Sequence, residues 1–130
     1  MKPLKEYLIG IRGIYWFPFF IIKIKMGFVY LIEDKVNNIY KIGTTKDLNK
    51  RIKSLQTGNP NELYIKYSFE TKYPFRLESL LHRKFKQYHY LNEWYQLPTN
   101  IVEDIENIFM GTNDIIYIME SNPFFNKDLK

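Results

Sequence analysis

The sequence predicts an α+β domain in which a small antiparallel three-stranded sheet is flanked by helices. Two apolar runs point to it first, residues 28–32 (FVYLI) and 39–43 (IYKIG). Both are rich in β-branched and aromatic residues, and the turn-forming pair Asn37-Asn38 separates them. Leu48, Ile52 and Leu55 then recur at helical spacing. Finally, an alternating run at 63–69 (LYIKYSF) is followed by a second helical pattern opened by Pro74.

The order is therefore hairpin, helix, strand, helix. Thr44 or Thr45 is placed to cap the first helix, with Asp47 favourable in its first turn. Its apolar stripe leaves Lys46, Lys50 and Lys53 on the wetter faces, and Thr57-Gly58-Asn59-Pro60 ends it. In the second helix Phe75, Leu77, Leu80, Leu81 and Phe85 supply the apolar side. Residues 92–97 (NEWYQL) read as irregular or briefly extended and end at Pro98. Ile101, Ile105 and Ile108 suggest a final acidic helix, 115–119 a short strand, and the tail from Ser121 a frayed end.

Residues 1–25 do not resemble the rest and are expected to form an N-terminal extension. The principal domain is expected at 26–98, with an acidic helix and tail at 99–130. The apolar run at 14–24 is interrupted by Pro18 and Lys23 and is too short to span a bilayer, which needs roughly 20 apolar residues. Lys2 and Lys5 precede it, but no small-x-small cleavage site follows. The expectation is an intracellular protein, neither secreted nor stably inserted in a membrane.

The chain of 130 residues has no cysteine, which removes disulfides, thiolate metal sites and a cysteine nucleophile from consideration. Its net charge of +5 is unevenly spread. Cations outnumber anions five to one in residues 1–26 and twelve to seven in 27–97, whereas 98–130 hold two cations and six anions. A basic centre suits a polyanionic partner, because phosphate neutralisation supplies most non-specific nucleic-acid affinity. Abundant Lys, Ile, Asn and Tyr fit an AT-rich genome such as that of a phage, a large DNA virus or a bacterium.

Tyr30, Lys41 and Arg51 follow one another at intervals of eleven and ten residues. A phenol, an ammonium and a guanidinium gathered on one surface make a phosphate-handling site. Each also has an ordinary reading: a strand tyrosine usually packs, and a helical arginine is usually solvated. Tyr40, pointing to the opposite face of its strand, is expected to pack. Glu78 and His82 lie four apart on one helix face, which is too few ligands for zinc. No phosphate-binding glycine loop and no nucleophile elbow occur.

These residues, in this order, resemble the GIY-YIG endonuclease superfamily across roughly residues 27–97. Val29-Tyr30 matches the end of the first motif, and Lys41-Ile42-Gly43 matches the second with Lys in place of its usual first Tyr. KIGTT…RIKSLQTGNP…E…LH…F…EWY is similar to the phage- and virus-associated branch. The literal Gly13-Ile14-Tyr15 lies too far from the second motif and is read as coincidence. The resemblance implies a divalent-metal-dependent endonuclease acting on DNA, with Mg²⁺ or Mn²⁺ held by Glu78 and Glu70 as the competing ligand. It also implies that Tyr30, alone or paired with Lys41, activates water, that Arg51 stabilises the transition state, and that His82 orients Glu78 or meets the leaving group. Lys46, Lys50, Lys53 and Asn92 would contact the nucleic acid, and Glu93-Trp94-Tyr95 would close the wall of the site. A nucleic-acid-binding module of the same fold that has lost catalysis is the alternative.

Overall fold

The structure, a computed structural model, describes residues 9–11, 14–17, 20–23 and 26–122, the first three stretches by their backbone alone. Those three are strands β1 (Ile9–Ile11), β2 (Ile14–Phe17) and β3 (Phe20–Lys23), paired antiparallel in that order. Gly13 lies outside the described residues, while Ile14 and Tyr15 fall in β2.

The larger sheet begins with β4 (Gly27–Asp34) and β5 (Ile39–Thr45), joined by the expected turn. Asp34 holds that turn. Its carboxylate accepts from the backbone N–H of Val36 and Asn37 and from the side-chain amides of Asn37 and Asn61. Burial alone would raise its pKa, but these four donors outweigh burial and hold the carboxyl below its ordinary value. Asn38 takes the left-handed conformation, φ 55°, that asparagine tolerates.

Helix α1 (Leu48–Thr57) follows, capped by the Asp47 side chain accepting from Lys50 N–H at 3.1 Å. The cap is therefore Asp47 and not Thr44 or Thr45; the Thr45 hydroxyl instead accepts from Asp47 N–H, bracing the cap from behind. Strand β6 (Leu63–Thr71) pairs with β4, and α2 (Pro74–Lys84) returns across the sheet. A single 3₁₀ turn at Lys86–Tyr88 leads into β7 (His89–Leu91) and β8 (Trp94–Tyr95), and then come α3 (Thr99–Glu103) and α4 (Ile105–Ser121).

The sheet thus has five strands, in the order β6-β4-β5-β8-β7, and not three. The difference arises at residues 92–97. Asn92 adopts φ 54°, which closes a two-residue turn and lets Trp94-Tyr95 pair with Tyr40-Lys41 on the edge of β5. Residues 115–119 form no strand but continue α4. Their β-branched character reads locally as extended, yet Phe109, Thr112, Asn113 and Ile116 recur at helical spacing and are buried.

Two clusters sandwich the sheet. Val29, Leu31, Tyr40 and Ile42 pack beneath Leu77 and Leu81 of α2 and Phe85 just after it, together with Val102, Ile105, Phe109 and Ile116 of α3 and α4. Tyr30, Ile32 and Leu63 face the other way, beneath Leu48, Ile52 and Leu55 of α1. Tyr40 packs, as expected, and its hydroxyl bonds Glu33 at 3.1 Å. A register shift between Leu31 and Ile32 leaves Lys66 as the extra residue of β6. Leu63 and Tyr67 therefore serve opposite clusters although both are odd-numbered. Among the described residues no helix is long and apolar enough to cross a membrane.

Candidate functional site

Period-two alternation puts Tyr30 and Ile32 of β4 on the same sheet face as Lys41 and Gly43 of β5, since Tyr30 lies opposite Gly43 and Ile32 opposite Lys41. The Tyr30 side chain is fully buried, with its ring laid over Gly43. A Cβ at Gly43 would sit 2.6 Å from Tyr30 Cζ, so only glycine leaves room for the ring. We expect Gly43→Ala to displace Tyr30 and lower stability by about 1–3 kcal/mol. Urea unfolding checks this, and an unchanged midpoint would mean that the ring tolerates the methyl group.

Arg51, one turn into α1, donates its Nε–H to the Tyr30 hydroxyl at 3.2 Å. That bond and the nearby phenol hold the guanidinium above its ordinary pKa. The cation bonded to the phenol is thus Arg51 and not Lys41. Lys41 Nζ reaches instead to Glu93 Oε2 at 2.8 Å and lies 5.7 Å from the centre of the Trp94 ring. The Lys41 side chain is only 10% exposed, whereas that of Glu93 is 45% exposed. Burial would raise the Glu93 carboxyl, but the hydrogen bond and charge of Lys41 outweigh burial and hold it below its ordinary value. The stabilisation from this pair is present above the ordinary carboxylate range and is lost as pH falls through the depressed value.

From the other face, α2 brings Glu78 and His82 to the same edge. Glu78 is partly buried, and its carboxyl is raised by desolvation and by the charge of Glu93, against the opposing pull of His82, Lys41 and Arg51. His82 Nε2 lies 3.0 Å from the carbonyl of Ile42, where β8 stops covering β5. A carbonyl only accepts, so Nε2 carries the proton in this bond. The Tyr95 ring supports the imidazole, with centroids 5.6 Å apart.

Tyr30, Lys41, Arg51, Glu78 and His82 are therefore brought together where α1 and α2 approach the β5–β8 edge. Lys50 lines a hollow of about 250 Å³ with Arg51, Thr45, Asp47 and Ser54. Lys46 is exposed beside it, whereas Lys53 is exposed and lies outside that hollow. Asn92 is an exposed turn residue whose carbonyl contacts His89 Nε2 at 2.6 Å. Glu70 lies on β6, the far edge strand, and its charge is not among those acting on Glu78. From sequence Glu93 reads only as part of the wall of the site, because its pairing with Lys41 across 52 positions leaves no signal in spacing.

The chain matches the T5orf172 domain over residues 27–110. It is 34% identical over 103 residues to an uncharacterized protein of Invertebrate iridescent virus 6, an alignment covering 71% of this chain and 47% of that protein. The chain thus spans about half the length of the curated relative it matches. No solved structure matches it.

Proposed function

We propose that this chain, which belongs to the T5orf172 family on its match across residues 27–110, is a divalent-metal-dependent endonuclease hydrolysing DNA phosphodiester bonds. The family's association with nuclease-like proteins of phages supports the reading. The observation that carries it is the setting of Glu78. Its carboxylate is partly buried among Arg51, Lys41 and His82, yet it forms no ion pair among the described residues.

No group of three or more His, Cys, Asp or Glu able to hold a metal occurs among the described residues, so the donor set is not a closed protein cage. It fits Mg²⁺ or Mn²⁺, which one carboxylate can hold when substrate phosphate and water complete the shell. Such a cation, when bound, neutralises phosphate charge and acidifies a water. Glu78 is the residue that would hold it.

Arg51 spends its Nε–H on Tyr30 and keeps both Nη groups for the phosphate, so the phenol aims the fork before substrate arrives. Lys41 adds a second cation from the neighbouring strand, and His82, one turn on from Glu78, is the residue that would orient it or meet the leaving group. The Tyr30 hydroxyl is buried and bonded to Arg51, so its part in the site runs through the guanidinium it positions. Lys46, Lys50 and Lys53 supply charge for the flanking strand, and Asn92 supports the turn that carries Glu93.

Supercoiled-plasmid nicking with Mg²⁺ or Mn²⁺ tests the proposal. Wild type should nick, while Glu78→Ala and Tyr30→Phe should not. Because the Glu78 carboxyl is raised, it gains its proton at a higher pH than an exposed carboxylate does. In the metal-free protein it should accordingly titrate above the ordinary carboxylate range of about 4–4.5, as an NMR pH titration checks, and added Mg²⁺ should lower it. Equal nicking by all three proteins would refute the site. Binding of plasmid without nicking would identify a catalytically silent nucleic-acid-binding module instead.

A further inference from the structure

We propose that the groove between the end of β5 and the start of α2 holds an unpaired DNA base stacked on Phe75, with Lys46 and Lys72 on the adjoining phosphates. The groove encloses about 460 Å³ and is lined by these three residues together with Met26, Thr44, Thr45, Gly27 and Pro74. Phe75 is 71% exposed, although it stands in the first turn of a helix. That turn is rigid. Pro74 fixes its own φ and packs so closely on β4 that a Cβ at Gly27 would lie 2.9 Å from Pro74 Cγ. A large ring held out from a rigid turn provides stacking area at little entropic cost.

The groove adjoins the candidate site. Thr45 also lines the hollow holding Lys50 and Arg51, and Lys46 with Asp47 lines a third hollow beside Phe28. Phe75 lies three residues before Glu78 on the same face of α2, an axial rise of about 4.5 Å. Lys46 and Lys72 make no ion pair among the described residues, and Lys72 sits 5.4 Å over the Tyr73 ring. Among the described residues the one acid lining these hollows, Asp47, is turned to its own helix as the cap. An exposed aromatic between cations is the chemistry that binds single strands, whose bases present free π-faces; a paired base is already stacked within the duplex. The proposal rests on the nucleic-acid reading above and adds a strand state and a subsite to it.

The test uses the full chain without divalent metal and follows anisotropy of a labelled oligothymidylate and of a duplex of equal length. Phe75→Ala should weaken single-strand binding roughly 5- to 150-fold and leave duplex binding and the thermal midpoint unchanged. Phe75→Trp should keep the affinity and show indole quenching on binding. Lys46→Ala and Lys72→Ala should each lower the single-strand salt slope by about 0.7. Unchanged single-strand binding by Phe75→Ala, or equal weakening on duplex, would overturn the subsite. If wild type nicks plasmid but Phe75→Ala binds normally, the subsite alone falls. If Phe75→Ala binds weakly while wild type does not nick, the subsite stands and the nuclease reading falls.

Discussion

Arg51→Ala should reduce plasmid nicking by about 10²–10³-fold, comparable with loss of one transition-state charge stabiliser. It should also destabilise the fold, for a separate reason. Tyr30 is 0% exposed, and Arg51 Nε is the donor that meets its hydroxyl. Removing the arginine leaves a buried hydroxyl without that partner, at a cost of about 1–3 kcal/mol. The two losses are separable. In the double variant Arg51→Ala/Tyr30→Phe both polar partners are gone, so the urea midpoint should return most of the way to wild type while nicking stays lost. Arg51→Lys keeps the charge but cannot span the phenol and a phosphate in one planar fork, so its nicking should lie nearer to Ala than to Arg. Full nicking by Arg51→Ala would remove Arg51 from the chemistry. A double variant no more stable than the single one would show that the Tyr30 bond is not what is lost.

Phe109→Ala carries the largest expected cost to stability, about 3–5 kcal/mol, because it empties the centre of the larger core. Phe109 is fully buried, and its ring meets Tyr67 edge-on at 5.1 Å and Phe69 at 6.4 Å. Both tyrosine and phenylalanine belong to β6, so the residue joins α4 to the sheet. A domain of this size has roughly 5–15 kcal/mol in total, and one such loss consumes much of it. The urea midpoint should fall with the m-value unchanged. Ile118→Ala, on the same helix but at a residue 68% exposed, should stay within about 0.5 kcal/mol of wild type. A small effect at Phe109 would mean that α4 is dispensable to the sheet. The buried bond between the Thr71 hydroxyl and Asn113 Oδ1, at 2.6 Å, ties the same helix to the end of β6.

The elements legible from sequence alone were those fixed by neighbours. The β4–β5 hairpin follows from two apolar runs and an Asn-Asn turn, and α1 from apolar residues at helical spacing ended by Gly58. Helical spacing is enough to stack Glu78 with His82, whereas Tyr30 and Lys41 share a face through the hairpin register that pairs Ile32 with Lys41. What escaped is non-local. The bulge at Lys66 exchanges the faces of β6, so alternation along 63–69 does not say which residues meet Phe109. Residues 115–119 have strand character locally and become helix because burying Ile116 together with Phe109 outweighs intrinsic preference. The two added strands, and with them the Lys41–Glu93 pair, exist because Asn92 turns the chain back onto an edge of β5 that would otherwise expose its unpaired backbone. Propensity and periodicity act over a few residues and can be read directly. Edge pairing, bulges and ion pairs between distant segments depend on the packing of the whole chain, and that is where the charges of the candidate site were settled.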